Sequence, residues 1–311
     1  MIVRVAAVQA APVYLNLGAS IEKAVSLISA AASMGAKLVA FPETWLPGYP
    51  AWLDCCRDVA LWDYQPVKKI YARLMENSVV VPGPLTDRLA DAARENEVVI
   101  NIGVHERVVE GPGRGTLYNT MLTLASDGSL VNRHRKIMPT YTERMIWGKG
   151  DGASLHAVAT DAGRVGGLTC WEHWMPLARH VLHSSGEDIH IAAWPQVKEM
   201  NLLASRHYAF EGRCFVIATG ALLRARELPH ELELIEELKQ DPSAFVLSGG
   251  SAIIAPDGSV LAGPLFGDET ILTADLDLSL IAEESLTLDV TGHYSRPDLF
   301  ETTLKGEAGK K

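Results

Sequence analysis

The chain has 311 residues, of which 48% are hydrophobic and 21% charged, and its formal charge is -10. That is the composition of a globular protein with enough apolar side chains for a large core. With Arg133-His134-Arg135-Lys136 as the main basic cluster, it is poorly suited to nucleic acid or an anionic membrane, and a small neutral substrate is the expected partner.

Ile2 to Val8 is apolar but is interrupted by Arg4 and runs into Gln9 and Pro12 without a cleavage region, so Val3 to Gln9 reads as a first buried strand rather than a signal. No apolar run approaches the ~20 residues needed to span a bilayer. Ser20 can cap a helix whose stripe is Ile21, Ala24, Val25, Ile28, Ala31 and Ala32, ended by Gly35. Lys37 to Phe41 is the next strand. Glu43 and Trp45 follow its carboxyl end, where ligands bind in α/β sheets, and then the stiff run Pro47-Gly48-Tyr49-Pro50.

Asp54 to Asn77 and Thr86 to Asn96 predict helices, and Val98 to Gly103 a buried strand. Tyr118 to Ala125 and Leu130 to Arg133 flank Asp127-Gly128 as a hairpin, with Lys136 just beyond it. Pro139 to Gly152 is irregular and carries Glu143 and Trp147. The apolar run from Val165 with two glycines reads as a buried strand, and Pro176 with Leu177, Ala178, Val181 and Leu182 as a helix beginning one turn later. Ile189 to Trp194 and Cys214 to Ala218 predict strands on either side of a helix through Leu203 and Phe210, and residues 227–240 an acidic helix. Ser251 to Ala255 with Val260-Leu261 repeats the hairpin pattern, which hints at two similar halves. A single domain over residues 1–300 is expected, with 301–311 as a disordered tail.

Cys170 therefore stands at a strand-to-helix corner, where a helix N-terminus favours thiolate over thiol. An inert packed thiol is the alternative. A cysteine nucleophile needs a base and a cation, and Glu43 and Lys136 also lie at or just past strand ends, so one sheet edge can assemble all three. Cys170, His173, His180, His183 and His190 match no zinc spacing closely, so no metal is expected. A Cys170–His173 dyad requires the chain to curl back. On the helix that follows Pro176, His180 and His183 read as solvent-exposed or as ordinary capping residues, and His293 as structural or as an interface residue. The four cysteines (Cys55, Cys56, Cys170, Cys214) lack metal or disulfide spacing and fit a reducing cytoplasm.

Three segments carry a resemblance: Phe41-Pro42-Glu43-Thr44-Trp45-Leu46-Pro47-Gly48-Tyr49-Pro50, His134-Arg135-Lys136-Ile137-Met138-Pro139-Thr140, and Gly167-Leu168-Thr169-Cys170-Trp171-Glu172. In this order the chain resembles the nitrilase superfamily of carbon-nitrogen hydrolases. Residues 141–152, the Cys-Trp-Glu run and Gly292-His293-Tyr294-Ser295-Arg296-Pro297 resemble its nitrile-hydrolysing branch. Trp45 stands where many such relatives carry phenylalanine, and His173 where many carry asparagine.

The resemblance implies an α/β fold, a four-layer α-β-β-α sandwich, and homodimers that grow into larger oligomers, spirals or filaments. It implies Glu43 as general base, Lys136 as stabiliser of anionic intermediates, Cys170 as nucleophile and Glu143 as a second carboxylate, with no cofactor. Trp45, Tyr49, Trp147, Trp171, Glu172, His173 and Trp194 are the expected pocket residues, and Trp174 also lies near these motifs. The expected reaction is hydrolysis of an organic nitrile to acid and ammonia through a thioimidate and a thioester. An amidase or carbamoylase using the same triad, and a non-catalytic assembly protein, are the alternatives.

Overall fold

The computed structural model describes residues 1–304, so part of the expected tail lies outside the described residues. In chain order the first half runs β1 (Ile2–Gln9), α1 (Leu17–Ser33), β2 (Leu38–Ala40), α2 (Trp52–Cys55), α3 (Gln65–Glu76), α4 (Pro84–Asn96), β3 (Val99–Arg107), β4 (Leu117–Leu124) and β5 (Leu130–Arg135). The second runs β6 (Val158–Thr160), β7 (Gly163–Thr169), α5 (Pro176–Ser184), β8 (Ile189–Ala193), α6 (Glu199–Gly212), β9 (Phe215–Thr219), β10 (Leu222–Arg224), α7 (Glu236–Gln240), β11 (Phe245–Ile254), β12 (Val260–Phe266), β13 (Thr270–Asp277) and α8 (Ser279–Glu284).

One sheet has the order β13-β1-β2-β3-β4-β5 and the other β10-β11-β9-β8-β7-β6, with β12 on β11. Each is built on three adjacent parallel strands, β1-β2-β3 and β7-β8-β9, so the two halves do repeat one pattern. Strands buried on both faces are near-continuously apolar, which is why they read clearly in the sequence. Val5, Ala7, Leu38 and Val99 of the first sheet meet Val165, Ile191, Phe215 and Ile217 of the second in a central core. The outer face of the first sheet packs under α1, α3 and α4, and that of the second under α5 and α6. The layers are therefore α-β-β-α.

Some expected elements shift. Helix α1 starts a turn before Ser20, because Asn16 Oδ1 accepts from the amide of Ala19, while the Ser20 hydroxyl bonds the carbonyl of Val13. The expected helix over 54–77 breaks between α2 and α3, where Asp58 and Asp63 adopt left-handed φ values of 63° and 64°. The acidic helix over 227–240 is reduced to α7. Upstream of it Leu228 and Leu232 are buried, and Leu234 bridges Cys56, so this segment follows the core instead of coiling. Among the described residues no helix is long and apolar enough to cross a membrane.

Candidate active site

The corner after β7 is sharper than a plain helix start. Cys170 has φ 52° and opens a 3-10 turn, Cys170–Trp174, before α5 begins. Side chains in such a turn step by about 120°. Trp171 accordingly points out, while Cys170, Glu172 and His173 are buried.

Glu43 reaches the same place from the loop after β2. That loop passes so close over β3 that a Cβ on Gly103 would lie 2.3 Å from the amide nitrogen of Thr44. Oε1 of Glu43 accepts from Asn119 Nδ2 at 2.6 Å and from Lys136 Nζ at 2.8 Å, whereas the buried Oε2 has no partner. Lys136, one residue past β5, also donates to Glu143 Oε2 at 2.7 Å. Glu143 lies in the 3-10 turn Tyr141–Met145 and accepts in addition from Thr140 N and the Tyr49 hydroxyl. Oxygens of both carboxylates and Cys170 Sγ all lie within 4.8 Å of one another. These donors are the set that could hold a metal, but the Lys136 ammonium already bonds both carboxylates and supplies the positive charge.

Burial drives the protonation of this cluster. It raises the Glu43 carboxyl to about 7, an effect opposed by Lys136 and Asn119 and reinforced by Glu143. Burial also works against charge on Lys136, but Glu43, Cys170 and Glu143 outweigh it and keep the ammonium protonated. The Cys170 thiol is pushed well above its ordinary range by burial and by Glu43 and Glu143, against Lys136 and the Trp171 amide. The thiolate expected from a helix dipole is thus not the resting form, since a five-residue turn cannot outweigh burial beside two carboxylates. The resting group is therefore the thiol, with the unpartnered Oε2 of Glu43 in the same buried cluster.

A cavity of about 440 Å³ opens onto Cys170 and Glu143. Of the expected pocket residues, Tyr49 and Trp171 are on its wall. The other five form the scaffold behind it. Trp45 donates to Ala10 O, Trp147 to His105 and Trp194 to Ser205. Glu172 accepts from the amides of Thr169 and Ile137 and from His134, tying the strand end to the loop after Lys136. His173 sits on the Cys170 carbonyl, not on Sγ, so the two form no dyad. His183 is buried, contrary to its expected exposure, because Glu211 receives its Nε2. His293 is exposed beside Asp289. Asp54, Gln196, Lys198 and Asn201 add polar groups to a wall that Tyr141, Val246 and Leu247 also line. These polar residues come from two segments, 54–55 and 196–201, that share no motif with each other or with Asn119; a buried Asn in the apolar strand Leu117–Leu124 was the one available signal.

Two facing sheets that bring Glu43, Lys136 and Cys170 into one buried cluster at their strand ends are the arrangement of a hydrolytic enzyme. A family model described as carbon-nitrogen hydrolase matches residues 4–284, and the chain belongs to that family. It is 42% identical over 294 residues to Nitrilase 2 from an unknown prokaryotic organism, covering 94% of this chain and 89% of that protein. It is 39% identical over 305 residues to an aliphatic nitrilase of Sinorhizobium fredii (strain HH103), covering 98% and 96%. The crystal structure of a carbon-nitrogen hydrolase from Helicobacter pylori G27 superposes with a TM-score of 0.69 at 18% identity, over 92% of this chain and 93% of that one.

Proposed function

We propose that the protein is a nitrilase, converting an organic nitrile and two waters to a carboxylic acid and ammonia. The observation that carries this reading is a buried thiol beside a carboxylate that keeps one oxygen free and has its proton affinity raised to about 7. Nitrilases at about 40% identity over nearly the whole chain support it.

The Cys170 proton passes to Glu43 as sulfur bonds the nitrile carbon. One C–N π bond opens, and the nitrogen takes that proton, which gives a thioimidate and returns Glu43 to its basic form. Glu43 next removes a proton from a water that adds to the same carbon. Lys136 and the Trp171 amide face the negative charge of the tetrahedral intermediate. Glu43 hands the water proton to the nitrogen, and the remaining hydroxyl proton follows it. Ammonia leaves as the C–N bond breaks and C=O forms, giving a thioester and Glu43 in its basic form. A second water, activated in the same way, releases the acid and restores the thiol. Glu143 holds Lys136 in place through these steps. Tyr49, Trp171 and the polar wall of Asp54, Gln196, Lys198 and Asn201 hold the substituent.

Residues 1–300 act as one domain, as the pairing of β1 with β13 supports. The working form is a homodimer that grows into a larger homo-oligomer or spiral, as exposed Trp174, Leu177, Leu203 and Phe210 on and beside α5 and α6 support. Cytoplasmic residence fits four free cysteines, and absence of nucleic-acid or membrane partners fits the charge of -10.

The test is a panel of nitriles and matched amides, with ammonia, acid and amide product quantified. Acid and ammonia from nitriles, lost in Cys170→Ala, is the expected result. Turnover of amides but not nitriles would make it an amidase.

A further inference from the structure

Behind the nucleophile turn runs a chain of buried polar groups that the reaction above does not use. His173 Nδ1 is 2.7 Å from the carbonyl oxygen of Cys170, and its Nε2 is 3.0 Å from Nε2 of His190. Nδ1 of His190 is 2.8 Å from Oε1 of Glu187, whose Oε2 accepts from the Tyr208 hydroxyl. All four side chains are buried. The backbone makes room for them: a Cβ on Gly166, in the strand that leads to Cys170, would lie 2.0 Å from Glu187 Oε1. His173 stacks on Trp194 and His190 on Tyr208, with ring centroids 4.6 and 3.6 Å apart.

Other ionisable groups face this chain. His183, on α5, has Nδ1 3.8 Å from Glu187 and gives Nε2 to Glu211, which also accepts from Arg179 and has exposed His207 at 4.0 Å. Arg179 donates to the His173 carbonyl. Cys214 lies near Glu187, and Glu172, in the turn after β7, and His134, on β5, act on His190.

The sense of each hydrogen bond follows from the Cys170 end. A carbonyl oxygen only accepts, so Nδ1 of His173 carries the hydrogen. Neutral His173 then has a lone pair at Nε2, and the hydrogen joining the two rings belongs to His190. The second nitrogen of His190 faces a carboxylate oxygen. That contact is a hydrogen bond only when the Glu187–His190 pair owns one further proton, as a carboxylic acid or as an imidazolium. Burial raises Glu187 to about 7 and holds His190 well below its usual range, so the proton rests on Glu187. Once it leaves, His190 has a single hydrogen for two partners. Either the contact to Glu187 or the one to His173 is lost, unless His173 turns its own hydrogen inward and releases Cys170.

The carbonyl at the end of the chain belongs to the peptide whose amide, at Trp171, bonds toward Cys170 sulfur. In a trans peptide the two point in opposite directions, so fixing one aims the other. Cys170 is held at φ 52°, a conformation that persists only when its surroundings enforce it.

We propose that His173, His190 and Glu187 are positioning residues forming a one-proton relay. It pins the Cys170–Trp171 peptide, aims its amide at the nucleophile and at charge developing on the substrate, and slackens when the shared proton is lost. The relay rests on the reading of Cys170 as nucleophile.

Glu187→Gln copies the protonated acid: its amide donates to His190, its oxygen accepts from Tyr208, and it does not titrate. Two readouts apply from pH 6 to 9. One is the rate of Cys170 alkylation by iodoacetamide, followed on its own peptide so that Cys55 does not interfere; the other is kcat and KM for a nitrile. The wild-type to Glu187→Gln ratio of alkylation rate and of kcat should fall roughly tenfold through one ionisation, as a small misplacement of reacting groups can cause, with KM unmoved. A ratio that is flat in pH overturns the relay. A bent alkylation ratio without nitrile turnover would support the relay and sink the nitrilase reading. If Glu187→Gln does not fold, Tyr208→Phe removes a donor that favours the carboxylate, and the inflection should move to higher pH. An inflection left in place overturns the proposal.

Discussion

The Lys136 ammonium lies 2.8 Å from Oε1 of Glu43 and leaves Oε2 of the same carboxylate without a partner. One oxygen is thus committed to fixing the base and the other is free to take a proton. Glu43→Gln keeps an acceptor for Lys136 and removes the proposed base. It should retain the fold and lower kcat by about 10² to 10⁴-fold, with KM little changed. Steady-state kinetics on an accepted nitrile, with circular dichroism as the fold control, checks this. A loss under threefold would remove Glu43 from the proton path.

In the proposed reaction the same carboxyl sets an acid limb. Burial raises it to about 7, and it must be ionised to accept the thiol proton. The rate should therefore fall as pH drops through about 7, approaching tenfold per unit below that. Asn119 donates to the ionised form and favours it. Asn119→Ala should shift the limb to higher pH. A pH profile of kcat/KM decides, and a limb left in place would show that Asn119 does not act on this group.

Much of this arrangement was legible in the sequence because buried parallel strands are continuous apolar runs, and their ends place Glu43, Lys136 and Cys170 on one edge. Which way the neighbours point was not legible. Trp171, Glu172 and His173 are consecutive, and only the tight turn separates an outward tryptophan from an inward Glu and His. Aromatic residues near the motifs suggested an aromatic pocket, yet Trp45, Trp147 and Trp194 spend their N–H groups inside the scaffold. The cavity wall joins Asp54 to Gln196, Lys198 and Asn201 of the segment after β8, two distant stretches that no local periodicity connects.

Glu172 is such a scaffold residue. Burial alone would raise its carboxyl, but His134 and the amides of Ile137 and Thr169 outweigh it and hold it below the usual range. Glu172→Ala leaves those donors buried without an acceptor and should cost about 3–5 kcal/mol. Because the folded carboxyl is depressed, this contribution is full above an unfolded pKa of about 4.3 and is lost as pH falls through the lower folded value. Urea denaturation of both proteins at pH 7 and pH 4 checks it. A gap that does not narrow in acid would mean the charge of Glu172 contributes little.

Gly103 tests how closely the base must be placed. It lies in β3 directly beneath the Glu43 loop, and a Cβ there would sit 2.3 Å from the Thr44 amide nitrogen and 2.4 Å from the Pro42 carbonyl oxygen. Both are backbone atoms, so the loop must rise. A displacement near 1 Å at a reacting group costs on the order of 10²-fold. Gly103→Ala should therefore lower kcat by roughly that factor, with a smaller effect on KM. Gly18, in α1, is the control, since its nearest neighbour would be 4.0 Å from a new Cβ. Gly18→Ala should leave the rate unchanged and stabilise the helix by about 0.5–1 kcal/mol. Equal kinetics in the two variants would mean that the loop tolerates displacement, and that Glu43 reaches the sulfur by its own side-chain freedom and not by the close seating of the loop on β3.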